Sequence, residues 1–398
     1  MLKLLFSGKL IQLNAFTLAP ELCSEQEMKK LVQMMLLAAI VVITACSPSE
    51  TADKGLRTIV LKESKDILPI SSFVEKVDYV ELKVMEAGID IGEMEDVKEI
   101  GGDFLIKRRM AGSSSIMRFS KNGDFIIELA GGSNSKIKEP LDIISYGKGY
   151  AILASNGIHE VGKDGKYLKQ LDRSNMEGAS FFVDNGRFVV VNETDPAQII
   201  STYPSKSKTK VARVTNDRLR RMLYSNVVSV GKDQEHIFTT INDTVFTYAN
   251  AELIPAYVFQ GDVLPTLAQA WERIDTLKDT DALRYMHDTE HVEVKNYQES
   301  RNFIYLDYWV GSAATTAIVN KNTWETRYFS HGVNDVDGGM WDKVEFLTEK
   351  DELLIPISSY KIGGHKISNK KVKGFDQLQK QIADSENPVL LRCKLRGL

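Results

Sequence analysis

Short apolar or alternating runs recur along this chain. Each is closed by a polar Gly, Asn, Asp or Lys turn and followed by a second run that opens on a bulky apolar residue. Six such pairs are present: 97–100 with 104–106, 141–144 with 150–153, 180–183 with 188–191, 227–230 with 237–239, 291–294 with 303–306, and 344–347 with 353–355. Apolar, β-branched runs bounded by turn residues are strand signals. The second runs start at positions 104, 150, 188, 237, 303 and 353, a spacing of roughly 40–50 residues with one long gap, as in a propeller array.

Behind each pair comes a more amphipathic hairpin. Runs 116–119 and 125–129 flank Lys121-Asn122-Gly123-Asp124, and runs 157–161 and 167–171 flank Lys163-Asp164-Gly165. Asn-Gly and Asp-Gly supply the positive φ that tight hairpin turns require. Weaker copies occupy 198–214, 244–260 and 315–330. Four strands per unit, apolar inside and half-exposed outside, make the blade of a propeller. The sixth unit lacks an adjacent outer pair. Residues 388–395 can supply its third strand, and 77–82, from the other end of the chain, its fourth.

The pattern therefore predicts an all-β fold over residues 57–398. It is a six-bladed β-propeller of four-stranded antiparallel blades, with the N- and C-terminal strands sharing the closing blade and protecting sheet edges. A pair of β-sandwiches or an open β array is the alternative. Two stretches break the pattern. Residues 264–286 have helical spacing and account for the long gap as one small helical insertion, and 375–383 form a second short helical candidate.

Composition adds exclusions. Of 398 residues, 43% are hydrophobic and 26% charged, enough for a packed core. The net charge of −4 gives no electrostatic reason to expect a nucleic acid partner.

Before the repeats, Met28-Lys29-Lys30 leads into an apolar run over 31–43, then Thr44-Ala45-Cys46. A basic start, a short apolar stretch and small residues before a cut are the parts of a secretory signal. The apolar run falls short of the roughly 20 residues that a transmembrane helix needs. An uncleaved signal anchor is the alternative. Residues 1–27 precede the basic start and read as a miscalled upstream start. Residues 28–45 read as the signal and 46–56, opening Cys46-Ser47-Pro48-Ser49, as a flexible tether. Cleavage before Cys46 leaves Cys393 as the one unmodified thiol, and its apolar neighbours Val389, Leu390 and Leu391 point to an inert, buried group.

Ile43-Thr44-Ala45-Cys46 resembles the lipobox of bacterial lipoproteins, in which the Cys sulfur carries the lipid. With this and the six units, the chain resembles the six-bladed β-propeller lipoproteins of Bacteroidetes, distant relatives of NHL-type propellers. The likeness is carried by 116–125, 241–246, 334–339 and 387–391. It implies a cell-envelope protein held to a membrane, the outer membrane by expectation, through lipid on Cys46. Whether it faces the periplasm or the exterior stays open. The resemblance implies little about activity.

Candidate site residues come from the loops joining second to third strands and from the connections between blades. The first group is Arg108, Arg109, Asn156, Asn192, Glu193, Asn242, Asp243, Tyr308, Trp309 and Tyr360, and the second includes His331 and Trp341. Aromatic faces and amides around one mouth suit a glycan or peptide, although such residues also satisfy turns. Asn334, Asp335 and Asp337 offer hard oxygens at a spacing suited to Ca²⁺, without the Glu that would complete an EF-hand loop. No HExxH, G-x-S-x-G or Walker element is present. The expected function is a non-catalytic, ligand-binding or complex-forming envelope protein. The alternatives are a hydrolase or lyase using Ca²⁺, and a scaffold whose helical insertion docks an envelope partner.

Overall fold

The computed structural model describes residues 2–6, 9–13, 56–131, 136–173, 180–191, 200–203, 207–209, 225–230, 234–240, 242–277, 281, 284–285, 291–366 and 375–397. Residues 1–55 form one unit, in which Leu2–Phe6 pairs with Lys9–Leu13 as an antiparallel hairpin. Residues 56–398 form the other. Cys46, the signal, Asn192 and Glu193 lie outside the described residues.

The larger unit is a six-bladed β-propeller. Blade 1 contains Glu93–Ile100, Asp103–Met110, Ser113–Phe119 and Phe125–Ala130. Blade 2 contains Pro140–Tyr146, Gly149–Ala154, Gly157–Val161 and Tyr167–Asp172. Blade 3 contains Ser180–Asp184, Arg187–Val191, Ile200–Tyr203 and Ser207–Thr209. Blade 4 contains Ser225–Ser229, Glu235–Thr239, Asn242–Ala249 and Glu252–Gly261. Blade 5 contains Val292–Glu299, Phe303–Val310, Ala313–Asn320 and Thr326–Phe329. Blade 6 takes Phe346–Leu347, Glu352–Ile357 and Val389–Leu395, and closes with Val74–Glu81 from the other end of the chain.

The burial pattern explains the sequence pattern. Inner strands are packed on both faces by neighbouring blades, so they read as continuous apolar runs. Every residue of Gly149–Ala154 is buried, while the outermost strand of the same blade, Tyr167–Asp172, has none buried. Between blades 1 and 2, Leu105, Ile116, Ile143, Tyr150 and Ile152 form one apolar cluster. Between blades 4 and 5, Phe238, Phe259, Tyr297 and Tyr308 do the same.

Two features depart from the reading of the sequence. The stretch between the runs 291–294 and 303–306, read as the turn of the fifth pair, is strand as far as Glu299. Asn296 sits inside the ladder just after a bulge and is buried. Second, a strap outside the six units was not foreseen. Arg57–Leu61 adds a fifth, parallel strand to blade 4, and Ile67–Pro69 pairs in parallel with His331–Val333. Parallel pairing between distant segments leaves no hairpin signal in the sequence.

The helical insertion is the helix Leu267–Thr276, started by a capping box in which Thr266 and Gln269 bond each other's backbone. Its apolar residues Leu267, Ala270, Trp271 and Ile274 join the cluster containing Phe182, Val189 and Ile237 of blades 3 and 4. That face is used inside the molecule and is not free to dock a partner. No helix among the described residues is long and apolar enough to cross a membrane.

Candidate functional site

The innermost strands surround a cavity of about 570 Å³ to which all six blades contribute. One polar residue recurs at a similar position in every blade: Asp96, Asp142, Ser180, Asn226 and Asn296 within the innermost strand, and Glu345 just before Phe346–Leu347. Each lies four or five residues ahead of the turn that follows. Three of them, Asp96, Asp142 and Asn296, directly follow a bulge, at Met94/Asp96, Pro140/Asp142 and Val294/Asn296. A bulge adds one unpaired residue and re-aims the side chain that follows it.

These polar groups reach from blade to blade. Asp142 Oδ1 accepts from the Lys98 ammonium of blade 1, and its Oδ2 accepts from the Phe181 backbone N–H of blade 3 at 3.1 Å. Asn226 donates to the Tyr297 carbonyl of blade 5 at 2.7 Å. Asn296 donates to the Val344 carbonyl next to blade 6 at 2.7 Å. Lys350 in the first turn of blade 6 pairs with Glu99 of blade 1 at 2.6 Å. The buried ones among these bonds, such as those of Asp142 and Asn296, fix the register of packed sheets, because leaving one unmade is costly.

The electrostatics follow from crowding. Burial opposes the charge of Lys98, but Asp142 and Asp96 outweigh it and hold the ammonium above its ordinary range. Burial, with the charge of Asp142, raises the Asp96 carboxyl against the pull of Lys98. Glu345 is pushed up to about 6, chiefly by burial, with Asp96 and Asp307 adding to it against Lys343. The cavity walls thus combine the ammoniums of Lys98 and Lys350, several carboxyl groups, and the uncharged polar groups of Ser180, Asn226, Gln298 and Thr348. They can hydrogen-bond a neutral polar ligand from several sides. Among the described residues, no group of three His, Cys, Asp or Glu side chains converges as metal ligands do.

Antiparallel geometry puts the first-to-second and third-to-fourth turns at one end of the ring, and the second-to-third loops at the other. The cavity is lined by Gly101, Gly102, Thr348, Glu349 and Lys350, all at first-to-second turns, and by no described residue of the second-to-third loops. None of the residues singled out from the sequence lines it.

Those residues lie as follows. Arg108 is buried and bonds Ser115 at 2.8 Å and the Asp90 carbonyl, while Arg109 pairs with Glu95 at 2.6 Å. Asn156 bonds the backbone of Lys136 and Lys138. Asn242 accepts from the Thr244 N–H and Asp243 from the Thr244 hydroxyl. Tyr308 is buried and donates to the Lys62 carbonyl of the strap at 2.8 Å. Trp341 packs edge-on against Phe73. His331 is exposed, in the short strand beside Ile67. Trp309 and Tyr360 are 47% and 75% exposed.

Asn334, Asp335 and Asp337 are engaged in hydrogen bonds within their own loop and with Ser71. Asp335 accepts from the Ser71 N–H at 2.9 Å and the Ser71 hydroxyl at 2.5 Å. Asp337 accepts from the Asn334 amide at 2.7 Å and the Gly339 N–H at 2.9 Å.

The recurring polar position was missed because each copy is one residue inside an apolar run. Its signal is nevertheless in the sequence: Asp96-Val97, Asp142-Ile143, Asn226-Val227 and Asn296-Tyr297 share a short Asx side chain followed by an apolar residue.

Fold and site define the class: a closed six-bladed propeller with a polar central cavity. Residues 56–394 match the family model described as "Domain of unknown function (DUF4934)", and the chain belongs to that family. Among solved structures it is similar to a "Putative exported protein" from Bacteroides fragilis, with TM-score 0.67 and 13% identity over 85% of this chain and 100% of that one. It is more distantly similar to virginiamycin B lyase from Staphylococcus aureus, with TM-score 0.39 and 9% identity over 70% and 80% of the two chains. For BamB from Moraxella catarrhalis the TM-score is 0.31, with 10% identity over 73% and 79%. The likeness to the Bacteroides protein shows the fold, and the two weaker ones carry no argument. No curated protein sequence matches the chain.

Proposed function

We propose that this chain is an exported, lipid-anchored binding propeller of the cell envelope, without catalysis, whose central cavity takes a polar ligand such as a glycan or peptide segment. The observation that carries the reading is the cavity of about 570 Å³, with Lys98, Ser180, Asn226 and Gln298 contributed by four different blades. A site assembled from rigid inner strands holds its groups in place before a ligand arrives, which lowers the ordering cost of binding. The anchor rests on the basic, apolar and small-residue succession ending at Cys46. The exported description given to the similar Bacteroides fragilis protein supports the same direction.

The test is calorimetric titration of the mature protein with a panel of glycans and peptides, repeated on Ser145→Trp. Ser145 lines the cavity and is exposed, so an indole there fills space without disturbing the core. A ligand that binds the native chain and loses at least tenfold in affinity with Ser145→Trp supports the cavity. A ligand insensitive to Ser145→Trp but lost with Trp309→Ala or Tyr360→Ala moves the site to the opposite loops. Binding of no ligand class in the panel would sink the reading.

A further inference from the structure

The charges around the central cavity do not balance. Among the described residues two ammoniums line it, and each is committed to a carboxylate. Lys98 pairs with Asp142, whose other oxygen already takes the Phe181 N–H. Lys350 pairs with Glu99 at 2.6 Å, and the second oxygen of Glu99 is buried without a partner. Asp96 is left over. It lies on the cavity face two positions before Lys98, as strand alternation requires. Lys107, which faces it across the strand pair, goes to Glu95 at 3.5 Å, and Lys343 goes to Glu345 at 2.8 Å. Asp96 thus enters no ion pair among the described residues, and leans on the Val97 N–H of its own strand. A second acceptor is left free in blade 5. Asn296 donates its amide to the Val344 carbonyl, which fixes the orientation of that amide, so its oxygen is the atom that accepts from Gln298 at 3.2 Å. Gln298 therefore turns its nitrogen to Asn296, and its own oxygen takes no bond. Gln298 is only 7% exposed and lines the cavity.

Resting on the cavity reading above, we infer that the ligand of the cavity carries an ammonium group, with Asp96 as its counter-ion and the Gln298 oxygen taking a donor of the same ligand. An unpartnered carboxylate and an unpartnered buried acceptor are each costly, and a cation bearing N–H donors satisfies both. An anionic ligand would instead meet Asp96 and the half-paired Glu99. An uncharged ligand could be held from several sides, yet filling the cavity with it strips water from Asp96 and returns no opposite charge. Burial already raises the Asp96 carboxyl, and a neighbouring ammonium offsets that rise. Two ligand sources carry such a group and are otherwise polar: an amino sugar, and a peptide segment with a lysine side chain.

The test is calorimetric titration with pairs of probes, each an amine and its acetylated twin. One pair is tetraglucosamine and tetra-N-acetylglucosamine, the other a lysine-centred pentapeptide and its Nε-acetyllysine form. In at least one pair the amine should bind the native chain about tenfold tighter or more, the contribution of one charge-assisted hydrogen bond. Ser145→Trp should abolish binding of that amine, and Asp96→Asn should lower its affinity to that of the twin. Which pair responds tells the sugar from the peptide. The twins are compared on the native chain, so the main readout does not depend on how Asp96→Asn folds. Twins that bind equally, or a preferred acetylated twin, with both weakened by Ser145→Trp, overturn the ammonium and leave the cavity site standing. An amine preference that survives Asp96→Asn, in protein with an unchanged melt, overturns Asp96 as the receiver. Amine binding insensitive to Ser145→Trp is association elsewhere on the surface and overturns the inference. So does binding of neither member of either pair, whereas the cavity reading itself falls only if the wider glycan and peptide panel is also silent.

Discussion

Glu299 of blade 5 accepts a hydrogen bond of 2.7 Å from Nδ1 of His236 in blade 4. Tyr257 donates to the other carboxylate oxygen at 2.5 Å, and Tyr297 and Lys321 also donate to Glu299. The carboxylate is buried, and burial alone would raise its pKa. The bond and charge of His236, followed by Lys321, overcome this and hold it below the ordinary range. A depressed carboxylate contributes stability above its unfolded value and loses it as pH falls through its folded value. Glu299→Gln should cost about 3–5 kcal/mol at neutral pH, because Lys321 and His236 lose a buried partner. The acid limb of the stability profile should flatten. Urea melts from pH 3 to 8 check both, and an unchanged acid limb would exclude Glu299 as its source.

Glu345 has the opposite sign. Its pKa is raised to about 6 by burial, with Asp96 and Asp307 beside it. Between its ordinary value and 6 the folded state holds the extra proton, so stability falls as pH rises through that window. Glu345→Gln removes the penalty. It should gain up to about 2 kcal/mol at pH 7, and nothing below about pH 4.5. Thermal melts at pH 4 and pH 7 separate the two cases. A loss at pH 7 would mean that the pairing with Lys343 at 2.8 Å outweighs the crowding.

Gly123 tests the seam between the first and last blades. Its φ is +83°, and a Cβ there would lie 1.9 Å from the Glu81 carbonyl oxygen in the closing strand. Lys83 reinforces the contact by bonding the Gly123 carbonyl and pairing with Asp124. Gly186 has a similar φ of +74° but open space around it. Gly186→Ala should cost about 1–2 kcal/mol, the left-handed backbone penalty alone. Gly123→Ala should cost about 3 kcal/mol or more, as a backbone clash does. Equal costs would show that the seam yields easily.

The oxygens of Asn334, Asp335 and Asp337 are engaged by the loop and by Ser71. Metal analysis of purified protein, with melts in EDTA and in millimolar Ca²⁺, should therefore show no stoichiometric metal and no shift in Tm. A Ca²⁺-dependent rise in Tm that vanishes in Asp335→Asn would instead establish a calcium site.

Much of the blade order could be read from the sequence because it depends on local signals. Apolar runs, Asn-Gly at 122–123 and Asp-Gly at 164–165 each report on residues within one hairpin. The sharing of blade 6 was legible too, from an outer pair missing at one end and two spare strands elsewhere. The strap was not, since the pairing of Arg57 with Tyr257 joins segments two hundred positions apart through backbone bonds that any sequence can make. The site was hidden for another reason. Exposure-prone types such as Asn156 and Tyr308 drew attention to loops, where they turned out to bond nearby backbone. The cavity instead depends on Lys98 and Asp142, charges placed in runs that otherwise look like core.

The closing blade ties Asn387 to Glu81 across 306 positions. Joining such distant segments carries a large loop-closure entropy and slows folding. It also sets a timetable. A chain emerging from the ribosome can form blades 1 to 5 in turn, but the third strand of blade 6 is the last strand of the ring to arrive. Until Leu395 is out, Val74–Glu81 has no partner strand and the ring stays open. Closure of the ring thus waits until its last strand has been made.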